Sequence, residues 1–218
     1  MTSHQLQLWL LPMHDSRRPI TFKEESIAKK LSPIRANEYR ISRGIIREAL
    51  SDHFGVPPLD IPLNAPQGKP PLLGEGWGKI NFSHCGDALL IGWSDQNIGV
   101  DIERIDRKFD AKSLLERFYS QEEKDMLEHL AKDEFRLNAL KLWVSKESAI
   151  KWQKGSVAID LSHWMITKDF TKAVHKKLEI ELRIYCRIYK SWIIGVAHNS
   201  RNLNFNQSIN NFKLESKT

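Results

Sequence analysis

In the stretch Ile98-Gly99-Val100-Asp101-Ile102-Glu103, alternation with a period of two sends Ile98, Val100 and Ile102 to one face of a strand and Gly99, Asp101 and Glu103 to the other. Two carboxylates that project together repel, and a divalent cation gripped by both offsets that cost. Gly99 shares their face and leaves room for a ligand's bulk. Taken alone, such a D-x-E pair reads first as a polar strand face in water. A helical stretch further along supplies a second group. Phe135, Ala139, Leu142, Ala149 and Ile150 form one apolar stripe with Trp143 at its edge, and Lys146 falls at the centre of the stripe. An ammonium there must meet an anion or reach out along its stem. Glu147 and Lys151, four apart, point the same way from the flank; alone they make a surface ion pair. His84, between Ser83 and Cys85 at a strand exit, and the cations Arg35, Arg43 and Lys69 each read alone as structural or solvated groups.

The surrounding pattern says what must hold these residues. Leu6 to Leu11 reads as a first strand. Ser32-Pro33 is a hydroxyl cap with proline at the first helical position, and Ala36 to Phe54 reads as a helix stopped by Gly55 and Pro57-Pro58. Val56 to Gly78 is a long loop in which Gly68-Lys69-Pro70 presents Lys69 outward. Lys79 to Ser83 and Ala88 to Trp93 form a hairpin about Cys85-Gly86-Asp87, and after the polar turn Ser94 to Asn97 the chain re-enters a strand at Ile98. Ser120-x-x-Glu123 is a capping box opening a helix to about Leu130. Asp133 is expected to cap a longer helix, Glu134 to about Gln153, ended by Gly155. Strands are expected near 164–166, 178–189 and 192–197.

The dipeptides Ser42-Arg43 and Ile91-Gly92 stand 103 positions before Ser145-Lys146 and Ile194-Gly195. Each half also runs long helix, then hairpin. A duplicated α+β unit is therefore expected, with halves at 1–95 and 96–198 joined by a four-residue turn and packed as one body, each a small, mainly antiparallel sheet with a long helix, and the active site between them. Residues 199–218, with six asparagines, are expected to be a peripheral polar tail.

Composition sets outer bounds. With 218 residues, 41% hydrophobic and 28% charged, the chain can bury a core without staples, which excludes disulfide miniproteins, collagens and disordered chains. The net charge of +6 favours anionic partners. Two cysteines far apart, Cys85 and Cys186, give neither a disulfide framework nor a zinc knuckle, so a cytoplasmic setting is expected. No run approaches a membrane span or a signal peptide. Walker A, H-E-x-x-H, G-x-S-x-G and G-x-G-x-x-G patterns are absent.

In order, Gly68-Lys69-Pro70-Pro71-Leu72, Asn81-Phe82-Ser83-His84-Cys85, Gly99-Val100-Asp101-Ile102-Glu103, Arg117-Phe118-Tyr119-Ser120-x-x-Glu123 and Trp143-x-x-Lys146-Glu147-Ser148 closely resemble the 4′-phosphopantetheinyl transferases of the surfactin type, over about Arg35 to Lys151. The resemblance implies a monomeric, pseudo-dimeric α+β fold with coenzyme A in the cleft between halves. It implies transfer of the 4′-phosphopantetheine arm to a serine of an apo acyl or peptidyl carrier protein in fatty-acid, polyketide or nonribosomal-peptide synthesis, with release of adenosine 3′,5′-bisphosphate. Magnesium, or manganese, is the implied cofactor, held by Asp101, Glu103 and Glu147. Glu147 is the implied general base, with Lys151 and His84 on the phosphates, Lys146 pointing into the cleft, Ser83 beside His84, and Arg43, Lys69 and less directly Arg35 on the 3′-phosphate and adenine side. Carrier docking is expected near Arg104 to Ser120, where Arg104, Arg107, Lys108, Lys112 and Arg117 meet Phe109, Phe118 and Tyr119. Neither nucleic acid nor membrane is an expected partner. Two other classes are open to the same residues: a magnesium phosphohydrolase acting on a nucleotide, and a basic nucleic-acid-binding module.

Overall fold

The computed structural model describes residues 5–14, 18–66 and 68–199, so the expected polar tail lies outside the described residues except for Asn199. In chain order the first elements are β1 (Leu6–Pro12), α1 (Phe22–Ala28), α2 (Pro33–Phe54), β2 (Lys79–Cys85), β3 (Ala88–Ser94) and β4 (Ile98–Arg104). There follow α3 (Ala111–Phe118), α4 (Gln121–Asp125), α5 (Lys132–Gln153), α6 (Val157–Asp160), β5 (Trp164–Ile166), β6 (Lys172–His175), β7 (Ile180–Tyr189) and β8 (Trp192–His198).

The fold is mixed α+β with two antiparallel sheets, one ordered β1-β3-β2 and the other β4-β8-β7-β6-β5. β3 is buried along its whole length because its two faces serve two cores. Leu89, Ile91 and Trp93 pack under Ile45, Ile46, Ala49 and Leu50 of α2. On the other face, Ala88 and Leu90 join Leu8 and Leu10 against Ile98, Val100, Ile102, Ile194 and Val196 of the second sheet. The far face of that second sheet packs on α5, through Ala139, Leu142, Ala149 and Ile150 against Leu182, Ile184 and Ala197. Four layers result: helix, sheet, sheet, helix. The repeated dipeptides sit on matching elements, α2 and α5 for the first, and the interior strands β3 and β8 for the second.

Local chemistry accounts for the boundaries. α2 begins at Pro33 and ends on Gly55 at φ +69°, as the pattern predicts, but the Ser32 hydroxyl, expected as a cap, makes no cap hydrogen bond. Ser120 does form the capping box with Glu123, but α4 stops at Asp125, after which the amides of Leu127 and Leu130 donate to the carbonyls three residues back, of Lys124 and Leu127. α5 starts at Lys132, one residue before the expected cap Asp133, with Ala131 as its N-cap and no side-chain cap, and closes on Lys154 in the left-handed conformation rather than on Gly155. Four elements escaped the pattern: α1, opened by a Thr21–Glu24 capping box; α3, capped by Asp110; the four-residue α6; and the four-residue β6.

Lys146 departs from its expected position. It points not into a cleft but into the protein core, fully buried, 2.7 Å from the equally buried Glu123. Its ammonium also donates to the carbonyls of Phe118 (3.3 Å) and Leu161 (3.2 Å) and sits over the Tyr119 ring. Burial lowers the affinity of that amine for its proton, and the Glu123 carboxylate opposes the effect. Glu123 in turn accepts from the Ile166 amide (2.9 Å), so the pair ties α4, α5 and β5 together. Tyr119, expected on a docking face, is buried beneath Lys146 with its hydroxyl donating to the Ala139 carbonyl (3.3 Å).

β4 and α5 approach so closely that a Cβ on Gly99 would lie 2.0 Å from the Ser148 carbonyl oxygen and 2.4 Å from the Trp152 nitrogen. Both obstacles are backbone and cannot step aside. Gly99→Ala should therefore cost about 1–3 kcal/mol or more in urea denaturation; an unchanged midpoint would contradict this packing. Removing one member of the buried pair strands the other charge, so Lys146→Ala or Glu123→Ala should cost about 3–5 kcal/mol, while Lys146→Met with Glu123→Leu together should cost less than either. Additive losses in that double-mutant cycle would show that the two side chains act independently.

Candidate active site at the junction of the sheets

Where the sheets meet, β2 runs beside β4, and the contact between them is polar. The Val100 amide donates to Asn81 Oδ1 (3.1 Å), Ser83 Oγ donates to Asp101 Oδ1 (2.8 Å), and Cys85 Sγ donates to Glu103 Oε2 (3.2 Å). Alternation along both strands produces this ladder: Asn81, Ser83 and Cys85 share one face of β2, while Ile80 faces the α2 core. α5 crosses above and adds Glu147 and Lys151. The Lys151 ammonium donates to Asp101 Oδ1 (2.6 Å) and Ser83 Oγ (2.8 Å) and lies 3.5 Å from Glu147 Oε2.

Asp101 is 2% exposed, and its Oδ2 is buried with no hydrogen-bond partner among the described residues. A buried carboxylate oxygen without a donor is costly, and a cation relieves it. Burial and the neighbouring Asp101 charge push the Glu147 carboxyl up to about 7, with Lys151 pulling the other way. Burial opposes charge on Lys151 as well, but Asp101 and Glu147 outweigh it and hold the ammonium above its ordinary value. Burial also raises Glu103, against the Cys85 thiol and Arg107. The Cys85 thiol, desolvated and hydrogen-bonded to that carboxylate, is pushed up to about 11 and stays protonated.

Asp101, Glu103 and Glu147 are thus electrostatic neighbours, yet their oxygens are not all gathered within 4.8 Å of one another. Lys151 stands between Asp101 and Glu147, and Glu103 is turned to Arg107 and Cys85. The group of potential ligands that is so gathered among the described residues is Asp160, His163 and His175. There the Leu178 amide donates to His175 Nδ1 (3.2 Å), so one of that ring's two possible ligand atoms is already engaged.

Beside the carboxylates, between the N-terminal part of α2 and the C-terminal end of α5, lies a cavity of about 510 Å³, within the size range of small-molecule sites. Arg35, Arg43, Lys69, His84, Lys151 and Lys154 line it, with Glu38 as the acidic member. Arg43 is 6% exposed, and its guanidinium donates to the Ala65 carbonyl (3.0 and 2.8 Å) and Ser42 Oγ (3.3 Å) between the rings of Tyr39 and Phe82. No carboxylate contacts it among the described residues. Burial accordingly lowers its hold on its proton. Arg47, one turn further along, is saturated instead by Glu24 (2.8 Å) and by carbonyls of the 58–63 loop. Desolvation holds His84 below its ordinary value, with Lys151, Arg35 and Arg43 acting in the same direction and Glu38 against.

Arg35, Arg43, Lys69, His84 and Lys151 therefore share one cavity, and Lys151 connects it to Asp101 and Glu147. Ser83 does not line it; its hydroxyl bridges Lys151 and Asp101. Lys146 belongs to the core. Lys154, the Cys85–Glu103 bond and the Arg107–Glu103 ion pair were not anticipated, although Cys85 lies two residues beyond Ser83 on the same strand face and Arg107 four beyond Glu103. A second cavity of about 690 Å³, between β1 and α2 around Trp9, Glu48 and His53, contains none of the expected residues.

Residues 97–203 match the family model of the 4′-phosphopantetheinyl transferase superfamily. The chain is 23% identical over 164 residues, 69% of each sequence, to the 4′-phosphopantetheinyl transferase HetI of a Nostoc species. It is 29% identical over 123 residues to the 4′-phosphopantetheinyl transferase ffp of Bacillus subtilis, a match spanning 56% of this chain and 54% of that one.

Proposed function

We propose that this chain, a member of the 4′-phosphopantetheinyl transferase superfamily, moves the 4′-phosphopantetheine arm of coenzyme A to a serine hydroxyl of an apo acyl or peptidyl carrier protein. Adenosine 3′,5′-bisphosphate is the leaving product. The enzyme acts as a monomeric pseudo-dimer in the cytoplasm, its halves being 1–95 and 96–198. No helix among the described residues is long and apolar enough to cross a membrane, which fits a soluble carrier as partner.

One observation carries the reading: Lys151, on the wall of a cavity lined by cations, is paired with a buried carboxylate that keeps an unpartnered oxygen, Asp101 Oδ2. Coenzyme A brings the anionic groups that the wall needs. Arg43, buried without a carboxylate, and Lys69 take the 3′-phosphate and adenine end, with Arg35 beside them. His84 and Lys151 face the diphosphate. The donor set of Asp101, Glu103 and Glu147 is all oxygen, as magnesium or manganese requires. When bound, the ion would supply charge stabilisation to the diphosphate.

In the transfer the serine oxygen forms a bond to the phosphorus nearer pantetheine, and that phosphorus releases its bridging oxygen with the adenosine bisphosphate. The serine proton goes to Glu147, directly or through one water. Burial and Asp101 raise that carboxyl in the metal-free chain, which favours proton uptake, and a bound cation would work against the rise. Lys151 keeps its proton and neutralises charge beside the phosphates. The carrier docks on the cationic segment 104–117, where Arg117 stacks on Phe118 at 4.9 Å.

The deciding experiment incubates the protein with coenzyme A, magnesium and a panel of apo carriers and weighs the carriers. Gain of one phosphopantetheine supports the reading; unmodified carriers, with small phosphate esters turned over instead, would replace it with a phosphohydrolase. Asp101→Ala and Glu147→Ala should each lower transfer by at least about 100-fold with melting behaviour retained. Near-normal turnover in either variant would remove it from the chemistry. A pH signature follows as well. Because the folded Glu147 titrates near 7 against an ordinary 4.5, the folded state holds more protons than the unfolded one in that window, and metal-free stability falls as pH rises through it. Magnesium offsets the charge that appears, so its melting-temperature gain should be larger at about pH 8 than at about pH 5.5. Equal gains at both would place the ion away from Glu147.

A further inference from the structure

Glu103 differs from its acidic neighbours in having both oxygens taken by side chains. Cys85 Sγ donates to Oε2 at 3.2 Å, and the Arg107 guanidinium pairs with Oε1. Asp101 keeps one oxygen free, and Glu147 has its ion pair with Lys151 at 3.5 Å. Arg107 is well placed for this role. It lies in the turn after β4, its amide donates to the Arg104 carbonyl (3.1 Å), and Arg136 clamps the turn by donating to the carbonyls of Ile105 (2.7 Å) and Arg107 (3.3 Å). The guanidinium stands 5.5 Å over the Trp143 ring, one helical turn before Glu147, and 37% of the side chain remains exposed. An anchored backbone with a half-exposed cationic head can exchange partners without disturbing the fold.

We infer that Arg107 is a positioning residue that guards Glu103: it competes with a divalent cation for this carboxylate, and an acidic partner docking on the same turn draws the guanidinium away and frees Glu103 for the ion. The inference rests on the transferase reading, from which it takes the metal and the acidic carrier. The physical basis is short. A guanidinium on a carboxylate occupies lone pairs the ion needs and cancels the negative potential that attracts it. A carboxylate on the partner offers Arg107 an equivalent contact, and the ion then takes its place on Glu103. Since both events bias one ion pair, the coupling is reciprocal: the carrier tightens metal binding and metal tightens carrier binding by the same factor.

The test is calorimetric titration of Mn²⁺ into the full chain without coenzyme A. Arg107→Ala and Arg107→Gln, both checked for native melting, should bind the ion roughly two- to fivefold more tightly than the wild type, the range for a partly exposed ion pair. Loss of a merely structural contact would weaken binding instead. A saturating apo acyl carrier protein with its acceptor serine replaced by alanine should tighten Mn²⁺ binding to the wild type by a similar factor and leave the two variants unchanged. Unchanged or weaker metal binding in the variants overturns the guard. Tighter binding in the variants with no carrier effect on the wild type overturns the coupling. Transfer by the wild type to intact carriers, measured alongside, keeps the two readings apart, because it can succeed while both calorimetric expectations fail.

Discussion

One ammonium group joins polar residues that three separate elements bring to a single point. Ser83 comes from β2, Asp101 from β4 and Glu147 from α5, and Lys151 contacts all three. A buried and a half-buried carboxylate cannot share such a space without a cation, because neither desolvation nor their mutual repulsion is otherwise compensated. The backbone makes the proximity unavoidable. Gly99 lets α5 lie against β4 at a distance no side chain would permit, which delivers Glu147 and Lys151 to Asp101. Sheet packing does the rest, since the apolar faces of β3 and β4 meet and leave the edge residues of β2 and β4 to settle their polar contacts with one another.

Lys146 and Lys151 show how differently one helix can use the same side chain. Five positions apart, they are separated by about 140° around the axis. Lys146 faces Glu123, two carbonyls and an aromatic ring, so every proton has an acceptor and water has no access. That network is closed and can take nothing more. Lys151 is a quarter exposed, borders a cavity and shares a carboxylate whose second oxygen is unsatisfied. Incompleteness, rather than burial or charge alone, separates the group that fastens the fold from the group that can meet a ligand.

Much of this was legible in the residues. The alternation about Asp101 and the stripe of α5 placed both acidic groups on the right elements, and Pro33 and Gly55 marked the ends of α2. What failed did so for reasons of long-range packing. Lys146 was unusual in the stripe, which did signal a buried anion, but periodicity cannot say whether that anion is a ligand or Glu123, 23 residues upstream. Tyr119 looked like a surface aromatic for the same reason. α1 was missed despite its Thr21-x-x-Glu24 capping box, because a seven-residue helix has too few turns to show a period. The pairing of Cys85 with Glu103 follows from two strands of different sheets lying side by side, a relation that no window along the chain contains.

A comparison within α2 indicates what the cavity is built to receive. Arg43 and Arg47 are one turn apart and almost equally buried, and both reach for loop carbonyls between 58 and 65. Arg47 is additionally neutralised by Glu24, and it does not line the cavity that Arg43 faces. Arg43 has carbonyl, hydroxyl and aromatic faces around it, all of which orient a guanidinium and none of which carries a full negative charge. The difference is not one of hydrogen-bond number, since both fork geometries are well used. It is one of charge: the second arginine completes its neutrality inside the protein, while the first leaves its own to whatever enters the cavity. Lys69 and Arg35 on the same wall repeat the sign. An anionic end group therefore gains most by entering at Arg43, and the molecule that carries it must then extend toward Lys151 to reach the carboxylates.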